Sequence, residues 1–377
     1  MRVLEIINTL NMGGAETLLC DLVPALMQLG AQVDILCLSA LTFPLEKELA
    51  MKGIKAIHTA PQSPYSPLQI FGVKKQILAG NYDVIHSHLF PAQLWTVIGA
   101  RMANANVPLV TTEHNTWNRR RREWFRPLDR WMYRRYSAIA CIGAATESAL
   151  QAWISGDPLP SRVILNGINV ERFSHATCLS DFQPSAKTVT TLMCVASLND
   201  RKGQEVLLQA ASLLPDTEVW LVGEGPKRTD LERLVKELHL GERVRFLGNR
   251  RDIPDLLHAA DIYVQPSHWE GFGIATVEAM AAGLPVVASN VAGLREVVGD
   301  AGLLFAPGSV SDLKECIARL VSKPDLRQEV ASRASLRARQ FSIDSTATEY
   351  LQLYQSVCPE TKPPVSGQPI PEHPRPE

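Results

Sequence analysis

Residues 261–289 read DIYVQPSHWEGFGIATVEAMAAGLPVVAS, and this stretch decides the fold of its half of the chain. An apolar run ends at Pro266, a glycine-containing loop follows, and a helical pattern extends from about Ile274 to Ala282 before a second apolar run at 285–288. Continuous apolar strands joined by a helix are typical of a parallel sheet covered on both faces. The stretch therefore predicts one strand–helix–strand unit of an open α/β sheet.

The same alternation extends through the rest of the 377 residues, a length that suits two α/β domains. Strands are predicted in the first half near 3–9, 33–38, 54–58, 83–87, 108–112, 138–142 and 162–165. In the second half they are predicted near 188–196, 218–222, 243–247, 261–265 and 285–288. The fold class is therefore predicted to be α/β, with two parallel sheets covered by helices.

A polar stretch between these two sets of strands sets the predicted domain boundaries. The first domain is predicted over 1–170, a linker over 171–187, and the second domain over 188–341. Residues 342–358 form a predicted helix that is expected to pack back on the first domain. Residues 359–377 contain seven prolines and are expected to form a disordered tail.

Composition excludes several classes of protein. The formal net charge is −1 with 20% charged residues, so no nucleic-acid partner is expected. Seven scattered cysteines without a C-x-x-C pair argue against a zinc site and a disulfide framework. Since no apolar stretch reaches about 20 residues and no leader precedes the first strand, we expect a cytoplasmic protein, peripheral on the inner face of the plasma membrane.

The loop and helix at 268–278 carry the strongest chemical signal. Gly271 and Gly273 permit close backbone approach, and the free N–H groups of a helix start suit a pyrophosphate. Glu270 and Glu278 lie eight residues apart, and such acids are expected to accept hydrogen bonds from hydroxyl groups. Either acid alone would be interpreted as an ordinary loop or surface acid. The pair beside a phosphate cradle indicates a nucleotide-sugar site.

A second candidate element is Arg201-Lys202-Gly203, which opens a helix after the first strand of the second half. The Lys202 ammonium could reach the same pyrophosphate, although a solvated lysine at a helix start is the plain alternative. Arg201 remains open between these two interpretations. In the first half, Gly13-Gly14 follows the first strand but does not match G-x-G-x-x-G, which argues against a nicotinamide enzyme.

Histidines follow two predicted strands of the first half, at His86, His88 and His114. A lone histidine is usually structural. Two such strand ends in one domain favour a position for His114 at the reaction centre, because the carboxyl ends of parallel strands line the ligand-binding edge of a sheet.

Residues 117–136 combine eight arginines with two acids and interleaved aromatic side chains, among them Trp117, Trp124, Phe125, Trp131 and Tyr136. Arginine with interfacial aromatics suits an anionic membrane surface or a pyrophosphate-bearing acceptor. Single-stranded nucleic acid is a weaker candidate, because the charge is confined to one segment. A solvated helix face is the remaining alternative.

Together these motifs resemble the retaining glycosyltransferases with the GT-B fold, the "glycosyl transferases group 1" or family 4-like enzymes. The resemblance runs from Val3 to about Val357 and implies two Rossmann-like domains whose parallel sheets face each other across a cleft. The segments that carry it are Gly13-Gly14, His86-Ser-His88, Thr112-Glu-His-Asn115, Asn166-Gly-Ile, Lys202-Gly203, Glu270–Glu278 and Gly293-Leu-Arg-Glu296.

The resemblance also implies a role for each matching residue. Glu270 would hold donor-sugar hydroxyls near the anomeric carbon, Lys202 would bind phosphate, and His114 would lie close to the transferring sugar; these three form the expected catalytic set. Glu278 would bind the ribose. The remaining donor contacts are expected from the amides of Phe272, Gly273 and Ile274, from Gly14 of the opposite domain, and from Phe246 and Leu247 at the base.

One departure concerns the phosphate site: Ser197 stands where the family usually has arginine. Either Arg201 substitutes for it or phosphate stabilisation is weaker. No D-x-D motif occurs, so the expected enzyme needs no metal and no cofactor beyond its nucleotide-sugar co-substrate, for which UDP-sugar is expected.

The predicted function is transfer of a hexose or N-acetylhexosamine from that donor to a lipid-linked or polysaccharide acceptor in cell-surface glycan synthesis, such as lipopolysaccharide. The alternatives are a sugar-nucleotide epimerase on the same fold and a non-catalytic membrane- or glycan-binding protein.

Overall fold

A computed structural model describes residues 1–116, 120–176 and 189–358. The predicted proline-rich tail at 359–377 and most of the predicted linker at 171–187 lie outside the described residues.

The first sheet contains seven parallel strands in the order β3-β2-β1-β4-β5-β6-β7. All seven predicted strands of the first half are present, with bounds within two residues of those expected. They are β1 (Arg2–Ile7), β2 (Gln32–Cys37), β3 (Ala56–His58), β4 (Val84–His88), β5 (Leu109–Glu113), β6 (Ala138–Cys141) and β7 (Ser161–Val163).

The second sheet contains six parallel strands in the order β10-β9-β8-β11-β12-β13. Five were predicted, and the sixth, at the edge, was missed because it is three residues long and enclosed by glycine and proline. They are β8 (Thr190–Val195), β9 (Thr217–Val222), β10 (Val244–Gly248), β11 (Ile262–Gln265), β12 (Val286–Ser289) and β13 (Leu303–Phe305). Two parallel-sheet halves confirm the predicted fold class.

Helices connect successive strands and cover both faces of each sheet. Those of the first half are α1 (Gly14–Gln28), α2 (Leu45–Met51), α3 (Gln69–Ala79), α4 (Ala92–Met102), α5 (Arg126–Tyr133), α6 (Ala144–Ile154) and α7 (Val170–Ser174). Those that follow are α8 (Gln204–Ser212), α9 (Arg228–Glu237), α10 (Ile253–His258), α11 (Ile274–Ala281), α12 (Ala292–Val298), α13 (Val310–Ser322), α14 (Pro324–Ala338) and α15 (Ile343–Val357). Across the described ranges, none of these helices has the length and hydropathy to cross a bilayer.

The last helix lies on the first half of the molecule. Tyr350 and Tyr354 of α15 are fully buried in one apolar cluster with Val3 of β1 and Leu22 of α1. The preceding helix α14 instead packs on α11 of the second half. The chain therefore crosses between the halves twice, once near residues 164–176 and once at Ser342, where a bridge pairs Ile168 with Ser342.

Candidate active site

A cleft of about 620 Å³ separates the two halves. Its walls are formed by loops and helix starts that follow the carboxyl ends of the strands, where open α/β sheets bind their ligands. Nine of the eleven predicted site residues line this cleft. They are Gly14, His114, Arg201, Lys202, Glu270, Phe272, Gly273, Ile274 and Glu278.

Helix α11 directs its N-terminus into the cleft. Gly273 caps it with φ of +95°, and a Cβ on this residue would lie 2.5 Å from Leu294 Cδ2, so both conformation and space require glycine. The first amides of the helix, at Ile274 and Ala275, have no intrahelical acceptor, because the donors at a helix start have no preceding carbonyl. These groups and the helix dipole form a site for an anion.

Lys202 and Glu270 form an ion pair in the wall of the second half, with 2.5 Å between Nζ and Oε1. Glu270 Oε1 also accepts hydrogen bonds from Ser267 Oγ at 3.0 Å and Gln265 Nε2 at 3.3 Å. The pair forms because Gly203 has φ of +64° and a Cβ on it would lie 2.2 Å from Pro266 O, so the start of α8 abuts the end of β11. Lys202 and Glu270, which are far apart in the sequence, are thereby brought together beside α11.

Glu278 lies one turn inside α11 and faces the cleft from a half-buried position. Burial, reinforced by the charge of Asp21 and opposed by that of Arg172, raises the pKa of its carboxyl to about 7. Within the described part of the chain it has no hydrogen-bond or ion-pair partner. An unpaired acid of this kind is available to accept hydrogen bonds from ligand hydroxyls.

Helix α1 brings the first half close to this wall. A Cβ placed on Gly14 would lie 3.7 Å from Ile274 Cδ1, so the starts of α1 and α11 approach across the cleft. Glu16, which the sequence analysis did not single out, also lines the cleft, and burial raises its pKa to about 6. The sequence feature that could have identified Glu16 is its position two residues after Gly14.

His114 lines the cleft at the end of β5, and its Nε2 lies 3.2 Å from Nδ1 of His88. His88 Nε2 lies 2.8 Å from Oε2 of Glu5, which is fully buried in β1. Glu5 was missed by the sequence analysis, although a single charge inside the apolar run RVLEII was a usable signal. The structure thus connects His114 to a buried carboxylate.

Glu5, His86 and His88 are also spaced closely enough to ligate a metal ion. Their facing atoms are already paired, since His88 Nε2 contacts Glu5 and His86 Nδ1 lies 2.7 Å from the Tyr354 hydroxyl. All three side chains are fully buried. The donor and acceptor atoms match one another as a hydrogen-bond network without an ion.

Phe246 and Leu247 are the two predicted site residues that do not line the cleft. Phe246 packs against the core of the second half beneath the Arg228 guanidinium, 4.5 Å from its ring centre, and Leu247 packs against a second apolar cluster. Both side chains are partly buried by this packing, and their expected contact with a base stays a prediction. The cleft is lined instead by the next segment, 249–251.

The arginine-rich segment is described only from residue 120, so Trp117 and Arg119 lie outside the described residues. Arg126 Nε donates to Trp153 O at 2.8 Å and Arg130 Nη2 to Ile154 O at 2.8 Å, which caps the end of α6. Arg120 lies 2.5 Å from Asp129. Arg120, Arg126 and Arg130 of the predicted basic surface therefore make contacts within the protein, which their spacing in the sequence did not reveal.

An exposed part of the segment remains. Trp124 is 71% exposed, and Arg122, Arg134 and Arg135 are exposed as well. An exposed tryptophan among arginines is the feature that still suits an anionic interface.

Comparison with known proteins gives two family matches. The model described as "Glycosyltransferase Family 4" matches residues 12–172, and the model described as "Glycosyl transferases group 1" matches residues 179–337. Together the two matches cover most of the chain, one for each half.

Individual relatives agree with these matches. The chain is 28% identical to the phosphatidyl-myo-inositol mannosyltransferase of Mycobacterium leprae over 92% of this chain and 94% of that protein. It is 29% identical to the glycogen synthase of Mycobacterium tuberculosis over 78% and 74%. The structure superposes on Anabaena HepE, solved in complex with UDP and glucose, with a TM-score of 0.84 and 24% identity over 94% of this chain and 100% of that one. The chain belongs to the group 1 glycosyltransferases and is an enzyme of the GT-B type.

Proposed function

We propose that the enzyme transfers a hexose or N-acetylhexosamine from a UDP-sugar to a lipid-linked or polysaccharide acceptor, with retention of the anomeric configuration. The acceptor class is supported by relatives named for phosphatidyl-myo-inositol and glycogen. The UDP donor is supported by the complex of HepE with UDP and glucose. The role is in the synthesis of cell-surface glycans.

One observation carries this proposal: the Lys202–Glu270 pair lies beside the open N-terminus of α11, with Glu278 one turn further along the same helix. A diphosphate at the helix start would meet the Lys202 ammonium and the amides of Ile274 and Ala275. Glu270 then lies on the sugar side of the diphosphate and Glu278 on the ribose side.

Retention follows in this proposal from attack on the same face as the leaving group. The bond from the anomeric carbon to the diphosphate oxygen breaks, and its electron pair leaves with UDP, whose charge Lys202 and the α11 amides stabilise. The acceptor hydroxyl bonds to the oxocarbenium-like carbon from that face, and its proton passes to the departing phosphate oxygen. A double displacement would need a free carboxylate below the sugar. In this proposal Glu270 instead binds sugar hydroxyls: Lys202, Ser267 and Gln265 hold Oε1, and Oε2 is the oxygen assigned to the sugar.

The proposed reaction requires no metal ion. Lys202, the exposed Arg201 and the positive end of α11 supply the charge that Mg²⁺ supplies to a leaving diphosphate in other enzymes. Arg201 is the proposed substitute for the arginine that the family usually has at the position of Ser197. Activity should therefore persist in EDTA.

We further propose that the enzyme acts at the inner face of the plasma membrane and contacts anionic lipid through the exposed Arg122 and Trp124. Trp124→Ala should reduce cosedimentation with phosphatidylglycerol vesicles. Arg130→Gln should leave vesicle binding unchanged while lowering thermal stability, because Arg130 caps α6. Equal vesicle binding by wild type and Trp124→Ala would contradict this proposal.

The central test screens binding of UDP-, GDP- and ADP-sugars, and then determines products by NMR with the donor that binds. An α-linked product from an α-linked donor supports retention, and a β-linked product contradicts it. Formation of an epimerised nucleotide-sugar without acceptor would establish the epimerase instead. If no nucleotide-sugar binds, or if Glu270→Gln restores glycan synthesis in cells that lack the gene as well as wild type does, the catalytic proposal fails.

A further inference from the structure

Three side chains form a continuous chain of contacts from the interior of the first half to the cleft. Glu5 Oε2 lies 2.8 Å from His88 Nε2, and His88 Nδ1 lies 3.2 Å from His114 Nε2. Glu5 and His88 are fully buried, whereas His114 lines the cleft. We call this set the Glu5–His88–His114 chain.

Glu5 is held as a carboxylate. Burial alone would raise the pKa of its carboxyl, but the charge and hydrogen bond of His86 and the hydrogen bond from His88 outweigh burial and hold that pKa well below its usual range. The Tyr354 hydroxyl donates to Glu5 Oε1 at 3.0 Å, and His86 Nδ1 lies 3.1 Å from Oε2. Since a carboxylate can only accept hydrogen bonds, every neighbour of Glu5 must donate to it.

This requirement fixes the proton on His88. Its Nε2 must carry hydrogen in order to donate to Glu5. Burial, with the neighbouring His86, lowers the pKa of His88 to about 4, so the ring is neutral at pH 7 and carries only that one proton. His88 Nδ1 is consequently a bare acceptor, and its hydrogen bond with His114 requires His114 Nε2 to donate.

The same logic extends to the cleft. Burial and the nearby His88 hold the pKa of His114 well below its usual range, so this ring is neutral too. Its single proton lies on Nε2, and Nδ1 retains its lone pair. In the described part of the chain, Nδ1 of His114 has no hydrogen-bond partner. The only polar atom that the ring has left for a ligand is therefore an acceptor.

We propose that Glu5 and His88 are positioning residues that fix His114 in the Nε2–H tautomer, so that His114 accepts a hydrogen bond from a hydroxyl of the transferring sugar. The sugar ligand in this inference rests on the proposed function, whereas the tautomer of His114 rests only on the hydrogen bonds described above. It makes His114 a specificity residue for the sugar hydroxyl that donates to Nδ1. A donor sugar with hydrogen in place of this hydroxyl would leave the Nδ1 lone pair without a partner, and one with a carboxylate there would be repelled by it.

The test is ¹⁵N NMR of histidine-labelled enzyme, in which the nitrogen shifts and the couplings to the ring carbon-bound protons report which nitrogen is protonated. The His114 signals are identified by their loss in His114→Asn. Wild type should show a neutral ring with hydrogen on Nε2 at pH 7, with or without UDP. Hydrogen on Nδ1, or a doubly protonated ring, in the spectrum of the wild type would overturn the inference.

Glu5→Gln is the sharpest variant, because it has nearly the same shape but can donate where glutamate accepts. Because the Tyr354 hydroxyl donates to the Oε1 position, the amide oxygen should lie there and the NH₂ at the Oε2 position. The NH₂ would then donate to His88 Nε2, reverse both hydrogen bonds and move the His114 proton to Nδ1. Tyr354→Phe is the matched control: it removes one hydrogen bond to Glu5 at 3.0 Å but leaves the carboxylate, so the His114 tautomer should not change. The same tautomer in wild type and Glu5→Gln would contradict the positioning role.

Kinetics test the ligand side with the nucleotide-sugar that the binding screen selects. Glu5→Gln should lower kcat about tenfold or more and change the Kd of UDP, which lacks the sugar, less than about threefold. An equal loss for UDP would indicate a structural role only. One bound metal ion per chain in the purified enzyme would also overturn the inference. If the tautomers behave as stated but no nucleotide-sugar binds, the proposed function fails and the proton assignment stands.

Discussion

The two walls of the cleft use charge differently. In the wall of the second half, Lys202 and Glu270 keep 20% and 12% of their side-chain surface exposed, and the exposed Arg201 lies beside them. In the wall of the first half, the charge of Glu5 is fully buried and reaches the cleft only through two neutral imidazole rings. In our proposal the wall of the second half binds the charge of the diphosphate directly, whereas His114 in the wall of the first half is an oriented, uncharged acceptor.

Because of this difference, substitutions that remove a charge should have different effects on UDP affinity and transfer rate in the two walls of the cleft. Removing the positive charge of Lys202 should lower UDP affinity and transfer rate together, whereas removing the charge of Glu270 should act mainly on the transfer rate. Altering the Glu5–His88–His114 chain should change orientation, with little effect on binding of UDP.

The largest effect is expected for Glu270→Gln. The change removes an acceptor for sugar hydroxyls and leaves Lys202 without its counter-charge, so kcat/KM should fall about 100- to 1000-fold. The measurement is steady-state transfer with the donor that the binding screen selects. Affinity for UDP, measured by calorimetry, should change much less, because Glu270 is proposed to contact the sugar.

Glu205→Gln is the matched control for that experiment. Glu205 is another acid near the cleft, hydrogen-bonded to His268 at 2.9 Å but absent from the cleft lining. It should keep transfer within about twofold of wild type, the size expected when an exposed ion pair is lost. Comparable losses in both variants would break the distinction between acids that bind the ligand and acids that lie near it.

The next effect is expected for Lys202→Met, which removes the positive charge and keeps most of the stem. Affinity for UDP should fall about tenfold to 100-fold, the range of one lost charge-assisted hydrogen bond together with an uncompensated Glu270. Titration calorimetry at two salt concentrations measures this effect. Unchanged UDP affinity would place the diphosphate away from Lys202 and would contradict its proposed binding by the charged wall of the second half.

Glu278 gives a pH-dependent effect of intermediate size. Because the pKa of its carboxyl is about 7, UDP should bind more tightly as pH rises from 6 to 8, when the carboxylate forms and accepts ribose hydroxyls. Glu278→Gln should remove this part of the pH dependence, and the comparison of the two proteins cancels the ionisation of UDP itself. Parallel pH profiles for wild type and variant would contradict the role of Glu278.

The stability of the free enzyme should respond in the opposite sense. Since the folded pKa of Glu278 lies above the ordinary carboxyl value of 4.5, the folded state binds more protons between those values, and stability falls as pH rises from about 4.5 to 7. Glu278→Gln should therefore raise the free energy of unfolding at pH 8 by about 1–3 kcal/mol. Denaturant unfolding at pH 4 and pH 8 measures this gain, which should be nearly absent at pH 4.

The smallest effect is expected for Arg201→Gln. Arg201 is exposed in the cleft, so water and salt weaken its attraction for a diphosphate. UDP affinity should fall about threefold at low salt and less at 0.5 M salt. A loss as large as that of Lys202→Met would show that Arg201 fully replaces the arginine missing at Ser197.

The wall of the second half was largely predictable from the sequence because its parts lie close together along the chain. Glu270, Gly273 and Glu278 fall within one loop and the start of one helix, so their closeness along the chain already brings them to the same wall of the cleft. The alternation of strands and helices likewise predicted the fold class and twelve of the thirteen strands, because parallel strands buried on both faces are continuously apolar.

The wall of the first half was not predictable in the same way. Glu5 and His88 meet because β1 and β4 are neighbours in the sheet, although 83 residues separate them in the chain. Tyr354 joins them from α15, more than 260 residues beyond His86. No local pattern encodes such a contact; only the strand order and the packing of the last helix bring these side chains together.

The arginine-rich segment and the pair Phe246-Leu247 show a second limit. Their composition suggested ligands, but the structure uses Arg126 and Arg130 to hold α5 against α6 and packs the partly buried Phe246 and Leu247 against the cores. Residue type is compatible with packing and with binding, and burial decides between them.

The most direct test of the account is a crystal structure of the enzyme with a UDP-2-deoxy-2-fluoro sugar, which resists cleavage. The diphosphate should lie within about 3.2 Å of Lys202 Nζ and of the first amides of α11. The ribose hydroxyls should contact Glu278, and the sugar should lie between Glu270 and His114. A nucleotide bound elsewhere, or bound in the cleft with its diphosphate remote from Lys202 and α11, would contradict it.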